Sequence, residues 1–184
     1  MSTSTTIIQK LSCFFFASNA KEMMTSYGEL AIFFPVPPVD DWSAVEFSFN
    51  RLFVGPRALL APPYASIYLD GDNTRLMNES TIKIRQLYEL IGLVSPWLNK
   101  IPDDHVALEL DALWQIETAM ESVDSHQLRD VHAYLITHLQ SWIPLFYERV
   151  LSIDDVHPAV TRVAEILHSV VTNPLATTTP QRVE

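Results

Sequence analysis

Asp40-Asp41-Trp42-Ser43-Ala44-Val45-Glu46-Phe47-Ser48-Phe49-Asn50-Arg51-Leu52-Phe53-Val54-Gly55-Pro56 is a helix with both of its ends written into the sequence. Trp42, Val45, Phe49, Leu52 and Phe53 fall on one face at helical spacing, Asp40 or Asp41 can cap the start, and Gly55-Pro56 stops the end. The same pattern extends upstream. Apolar residues recur at helical spacing from Thr5 to about Ala17 and from Asn19 to about Phe33, with Asn19 as the N-cap between them. Phe33-Phe34-Pro35-Val36-Pro37-Pro38 then breaks the helix. Only four glycines occur in 184 residues. That is too few for an all-β chain full of tight turns, or for a nucleotide-binding βαβ fold with its glycine-rich loop. The expected class is all-α, a single helical bundle.

Downstream, Ile84, Leu87, Tyr88 and Ile91 form another apolar face, with Ser80 as candidate cap and Gly92 at the end. A helix beginning near Asp104 points Val106, Leu110, Leu113 and Trp114 inward, and Asp103 and Asp104 suit its positive N-terminus. Ser125 opens a helix striped by Leu128, Val131, Leu135 and Leu139, and Pro144 begins or kinks a further segment through Leu151. Pro158 starts a last helix carrying Val160, Val163, Ala164, Leu167 and Val171, ended by Asn173-Pro174. The helical domain is expected over 1–172, followed by a disordered tail over 173–184, which has no periodic face. Residues 55–78, with Pro56, Pro62, Pro63 and Gly71, read as one long ordered loop, and Ser95–Asp103 as a second break.

Twenty-two acids against twelve bases give a net charge of -10, which argues against nucleic acid as partner and for a basic one. The stretch 131–147 lacks Asp, Glu, Lys and Arg, but His132, His138, Gln140 and Pro144 interrupt it below membrane-spanning length, so no membrane insertion is expected. The N-terminus is not read as a secretory signal, because the nine residues before Lys10 carry no positive side chain and the apolar run is only seven residues long. A cytoplasmic location follows. Cys13 allows no internal disulfide and is expected as a buried thiol beside Phe14 to Phe16.

No phosphate loop, dinucleotide fingerprint, zinc-protease helix or cysteine-pair metal motif is present. Asp70-Gly71-Asp72-Asn73 lacks the ligands of a calcium loop at Leu76 and Thr81 and reads as a polar turn. His126, His132 and His138 recur every six residues, so neighbours fall on opposite sides of a helix and share no ion. His105 and Glu109, four apart, read as a solvated pair or a capping network. No metal or cofactor is expected. Eight acids lie between Asp103 and Asp130 against one base, Arg129. They read either as a solvated face or as a surface for a basic peptide. Beside them, Tyr64, Tyr68 and Trp97 on the two proline-broken connections supply material for an apolar groove.

Three runs carry a resemblance. They are Phe49-Asn50-Arg51-Leu52-Phe53-Val54-Gly55-Pro56, Ala61-Pro62-Pro63-Tyr64-Ala65-Ser66-Ile67-Tyr68-Leu69-Asp70 with Ser80-Thr81, and Pro102-Asp103-Asp104-His105. In order and spacing they resemble the TorD/DmsD group of redox-enzyme maturation chaperones, the DmsD branch in particular, over about 42–171. The resemblance implies an all-helical cytoplasmic protein that is no enzyme. Such a protein binds the twin-arginine signal peptide of a molybdenum-containing reductase and delays export until the cofactor is in place. The molybdoenzyme and the twin-arginine export machinery are the implied partners. A chaperone for folding, or for cofactor or metal loading, of a non-exported cytoplasmic enzyme is the other use it allows. The implied peptide-binding residues are Leu52, Phe53, Gly55, Pro56, Pro63, Tyr64, Tyr68, Pro102, Asp104 and His105. In that reading the rings and prolines receive the apolar segment, Asp104 attracts the arginines, and His105 orients its carboxylate. Ile101 stands where the family has Glu, and Arg57, Tyr64 and Tyr68 stand where the branch has tryptophans.

Overall fold

The structure is a computed structural model that describes residues 2–69, 79–94 and 100–173. Eight helices and no β-strand occur among them: α1 (Thr3–Phe16), α2 (Ala20–Leu30), α3 (Trp42–Phe53), α4 (Ala65–Leu69), α5 (Glu79–Leu90), α6 (Val106–Met120), α7 (His126–Leu151) and α8 (Pro158–Thr172). The polar turn expected at Asp70–Asn73, Trp97, and the tail beyond Asn173 lie outside the described residues.

Helix starts follow local chemistry. The side chains of Asn19, Asp41 and Ser125 accept backbone N–H bonds from Glu22, Ser43 and Leu128, as N-caps do. Pro158 occupies the first turn of α8, where its missing N–H costs nothing. At the end of α3, Gly55 takes φ +104° and donates its N–H to the Asn50 carbonyl at 2.9 Å. Only glycine adopts that φ without strain. Gly55→Ala should lower unfolding stability by about 1–2 kcal/mol, measured by chemical denaturation, and it adds no contact closer than 3.4 Å.

Packing runs α2 on α1, α1 on α6, α6 on α7 and α7 on α8, with α3 touching both α2 and α8. α6 lies innermost: Val106 through Leu110, Ala112, Leu113 and Ile116 are all buried, as expected of a helix covered on every side. Phe14, Phe15, Phe49, Phe53, Trp142 and Phe146 form edge-to-face and tilted ring pairs at the centre, with centroids 5.0–6.1 Å apart.

Four expectations need correction, and one cap is settled. The long connection after α3 contains α4, because Tyr68 can stack on Trp142 of α7, and that anchorage makes five residues helical. Ser80 lies in the first turn of α5, which starts at Glu79 among the described residues, so it is no cap. The cap of α6 is His105, in keeping with the capping network read for it, and Asp104 precedes it. α7 continues through Pro144; Leu139, Trp142, Ile143, Phe146 and Val150 are buried on both sides of it, and that packing outweighs the missing hydrogen bond. Cys13 is exposed, because Ile7, Ile8, Leu11, Phe14 and Phe15 take the inner face of α1 and leave position 13 pointing outward.

Candidate functional site

Two segments broken by proline meet in one seam. Residues 63–65 run antiparallel to 104–106: the Ala65 N–H donates to the Asp104 carbonyl at 3.0 Å and the Val106 N–H to the Pro63 carbonyl at 2.9 Å, around a bridge between Tyr64 and His105. The N-terminal ends of α4 and α6 are thereby tied together. Asp104, 0% exposed, completes the knot: one carboxylate oxygen accepts the Ser66 N–H at 2.8 Å and the other the Thr81 hydroxyl at 2.8 Å. That single side chain joins α4, α5 and α6. Asp103, also buried, binds Nε of Arg85 at 2.6 Å, and its carbonyl accepts the Tyr88 hydroxyl. Burial pushes the Tyr88 hydroxyl pKa well up, and the neighbouring acids add to it.

His105 does not orient Asp104. Its Nδ1 accepts the Ala107 N–H at 3.1 Å, which places the ring proton on Nε2 and keeps the imidazole neutral. Phe16 stacks on it with centroids 6.1 Å apart, and Tyr64 meets it edge-on at 5.1 Å. This desolvation pushes its pKa down to about 4. Pro102 sits at the turn, its carbonyl accepting the His105 N–H. Tyr68 donates to the Pro62 carbonyl at 2.9 Å and is half-buried.

Seven of the ten residues singled out from sequence therefore serve as frame. Leu52 and Phe53 are core, Pro63 is buried, and Tyr64, Tyr68, Asp104 and His105 engage one another or their neighbours. Among the described residues the side chains of the seam pack on one another, and Asp104 is fully buried with each carboxylate oxygen already accepting a hydrogen bond from within the fold. The acids of the 103–130 stretch divide likewise. Asp103, Asp104 and Glu109 are buried, while Glu121, Asp124 and Asp130 are exposed. The side chains of His105 and Glu109 do not pair; the two residues are joined through the backbone, the Glu109 N–H donating to the carbonyl of the N-cap His105 at 3.0 Å.

The open space lies alongside, at the end of α3. The Ala61 N–H returns to the Leu52 carbonyl at 3.1 Å, so residues 55–60 arch over the helix end. A cleft of about 800 Å³ is lined there by Phe47, Asn50, Arg51, Gly55, Pro56, Arg57, Ala58 and Leu60. Gly55 and Pro56 are the two predicted residues that face it. Phe47, 71% exposed, was missed. Its signal is plain in the sequence: an apolar ring opposite the Val45, Phe49 and Leu52 stripe.

Residues 17–148 match the family described as nitrate reductase delta subunit, well over half of the chain. The chain belongs to that family. Within it, the resemblance to TorD and DmsD chaperones is borne out. The Tat proofreading chaperone DmsD of Salmonella typhi is 33% identical over 102 residues, covering 55% of this chain and 46% of that protein. The chaperone protein TorD of Vibrio cholerae is 31% identical over 115 residues, 58% of this chain and 50% of that one. The chain thus spans about half the length of the curated relatives it matches. A crystal structure of a proposed redox enzyme maturation protein from Archaeoglobus fulgidus superposes with a TM-score of 0.63 at 15% identity, covering 92% of this chain and 94% of the other. The delta-subunit family member described here therefore has that all-α fold. No helix among its described residues is long and apolar enough to cross a membrane. Among the same residues no group of three or more His, Cys, Asp or Glu side chains is placed to hold a metal ion.

Proposed function

We propose that the protein is a cytoplasmic maturation chaperone that binds the twin-arginine signal peptide of a molybdenum-containing oxidoreductase before export, and that it acts by binding, not catalysis. The observation that supports this most is the seam. It joins the two motif-bearing connections into one block beside an apolar cleft whose wall is Gly55 and Pro56. A cleft of this size suits a few apolar side chains of an extended or helical peptide. In this reading the apolar part of the signal enters the cleft. Leu52, Phe53, Pro63, Tyr64, Tyr68, Pro102, Asp104 and His105 hold its walls in place. The net charge of -10 draws the cationic end to the surface outside it. The body of the client enzyme and the export machinery would be further partners. The names of the relatives, a Tat proofreading chaperone and a TorD chaperone, support the same reading.

Calorimetric titration with a twin-arginine signal peptide and with its Lys-Lys variant tests it. Saturable binding of the first, about tenfold tighter than of the second, is expected, because a guanidinium makes paired hydrogen bonds that an ammonium does not. Absence of saturable binding for both peptides would overturn the assignment.

A further inference from the structure

Two arginines, Arg51 and Arg57, line the otherwise apolar cleft at the end of α3, on a molecule whose net charge is -10. Six arginines lie among the described residues. Arg85, Arg129 and Arg162 each have a carboxylate partner, in Asp103, Asp124 and Glu165. Arg51, Arg57 and Arg149 have none among the described residues; the first two line the cleft, and the third binds the backbone of a residue that does. Arg51 donates through Nη2 to the carbonyls of Asp154 and Asp155, 2.9 Å each. Backbone dipoles hold it there, with no carboxylate in ion-pair contact among the described residues although Asp154 and Asp155 are neighbours, and its Nε is buried with no acceptor. Arg149 donates to the carbonyl of Leu60, a lining residue, at 2.7 Å. Arg57 is exposed on the rim. The apolar side chains of Phe47, Pro56, Ala58 and Leu60 line the same cleft and, by excluding water, strengthen any ion pair formed against them.

We infer that the cleft takes an apolar segment of a client polypeptide that carries an aspartate or glutamate side chain, its carboxylate meeting Arg57 and Arg51 while its apolar neighbours lie on Phe47 and Leu60. The planar guanidinium fork of the exposed Arg57 matches a carboxylate in two parallel hydrogen bonds, and Arg51, fixed by its backbone partners, adds its positive charge to the same wall. The same charge repels a lysine or arginine at that point, so the cleft fixes the direction of the peptide. Its cationic end lies outside, toward the acidic remainder of the surface. Arg57 is then a specificity-determining residue. The inference rests on the reading of the protein as a peptide-binding chaperone.

Three twin-arginine peptides, identical except for Glu, Gln or Lys in the middle of a leucine-rich segment, test it against the full chain and against Arg57→Glu. On the unaltered protein the Glu peptide should bind about tenfold tighter than the Gln peptide, with the Lys peptide weakest and the preference shrinking with added salt. Arg57→Glu should reverse the order, so that the Lys peptide becomes the tightest. Circular dichroism checks that this exposed substitution leaves the fold intact. Equal binding of all three peptides, unchanged by Arg57→Glu, would overturn the charge preference while leaving peptide binding standing. No binding of any of them would overturn both readings together.

Discussion

Glu109→Ala is expected to lower the free energy of unfolding by about 3–5 kcal/mol, the cost typical of removing one partner from a buried charged network. Glu109 is 0% exposed on the innermost helix. Its Oε1 pairs with Nε2 of His138 at 3.1 Å, and its Oε2 accepts the Trp142 indole N–H at 3.2 Å. Burial pushes its carboxyl pKa up, while the bonds from His138 and Trp142 work the other way. Alanine removes the acceptor for both ring groups and leaves a hole between α6 and α7. Glu109→Gln keeps an amide oxygen for one donor and sheds a group whose ionised form burial disfavours, so it should lose only about 1 kcal/mol. Urea denaturation of the three proteins at pH 7 decides the matter. Equal losses for Ala and Gln would mean that the carboxylate's bonds contribute little and that shape alone matters.

The residues of this network show where sequence is legible and where it is not. Asn19, Asp41 and Ser125 are readable as helix starts because each acts on a backbone N–H two or three residues away, and Pro158 because its own ring fixes a helical φ and removes an N–H the first turn does not need. The apolar stripes are readable for the same local reason. The fate of an acid is not local. Asp104 is buried by Ser66 and Thr81, 38 and 23 positions away, and Glu109 by His138 and Trp142, 29 and 33 away. Nothing in the spacing of the 103–130 acids separates these from exposed Asp124 or Asp130. For the candidate site, the three motif runs locate the connections that meet in the seam but not which of their side chains pack inward. Aromatic and proline positions on broken connections look like a groove lining, yet here they fill the seam and leave the opening to Phe47, Arg51 and Leu60. Of those, Phe47 was open to sequence reasoning, as a ring on the polar side of an amphipathic helix. Arg51 was not, because its place in the lining depends on residues 154 and 155, about a hundred positions away, which hold its guanidinium.

Relative to His105→Asn, the unaltered protein should lose about 3 kcal/mol of stability as the pH falls from 6.5 to about 4. His105, 9% exposed, is neutral in the fold, and burial between Phe16 and Tyr64 pushes its pKa down from 6.5 to about 4. The unfolded chain therefore takes up this proton near pH 6.5 and the folded chain only near pH 4. Between the two the unfolded state binds more protons, so stability falls as the pH falls, and below pH 4 the loss is complete. Protonation would also strip Nδ1 of the lone pair that accepts the Ala107 N–H, loosening the first turn of α6 where the two motif segments are joined. Asparagine retains an oxygen to cap the helix and does not titrate, so its lost volume costs the same at every pH. Glu109, with its raised pKa, acts in the opposite direction, losing its contribution as the pH rises, but it does so equally in both proteins and cancels from the difference. Denaturation curves of the two proteins collected at pH 7, about 5 and about 4 give the comparison, and midpoints that shift in parallel would show that the imidazole at the head of α6 takes its proton as readily in the fold as in the open chain.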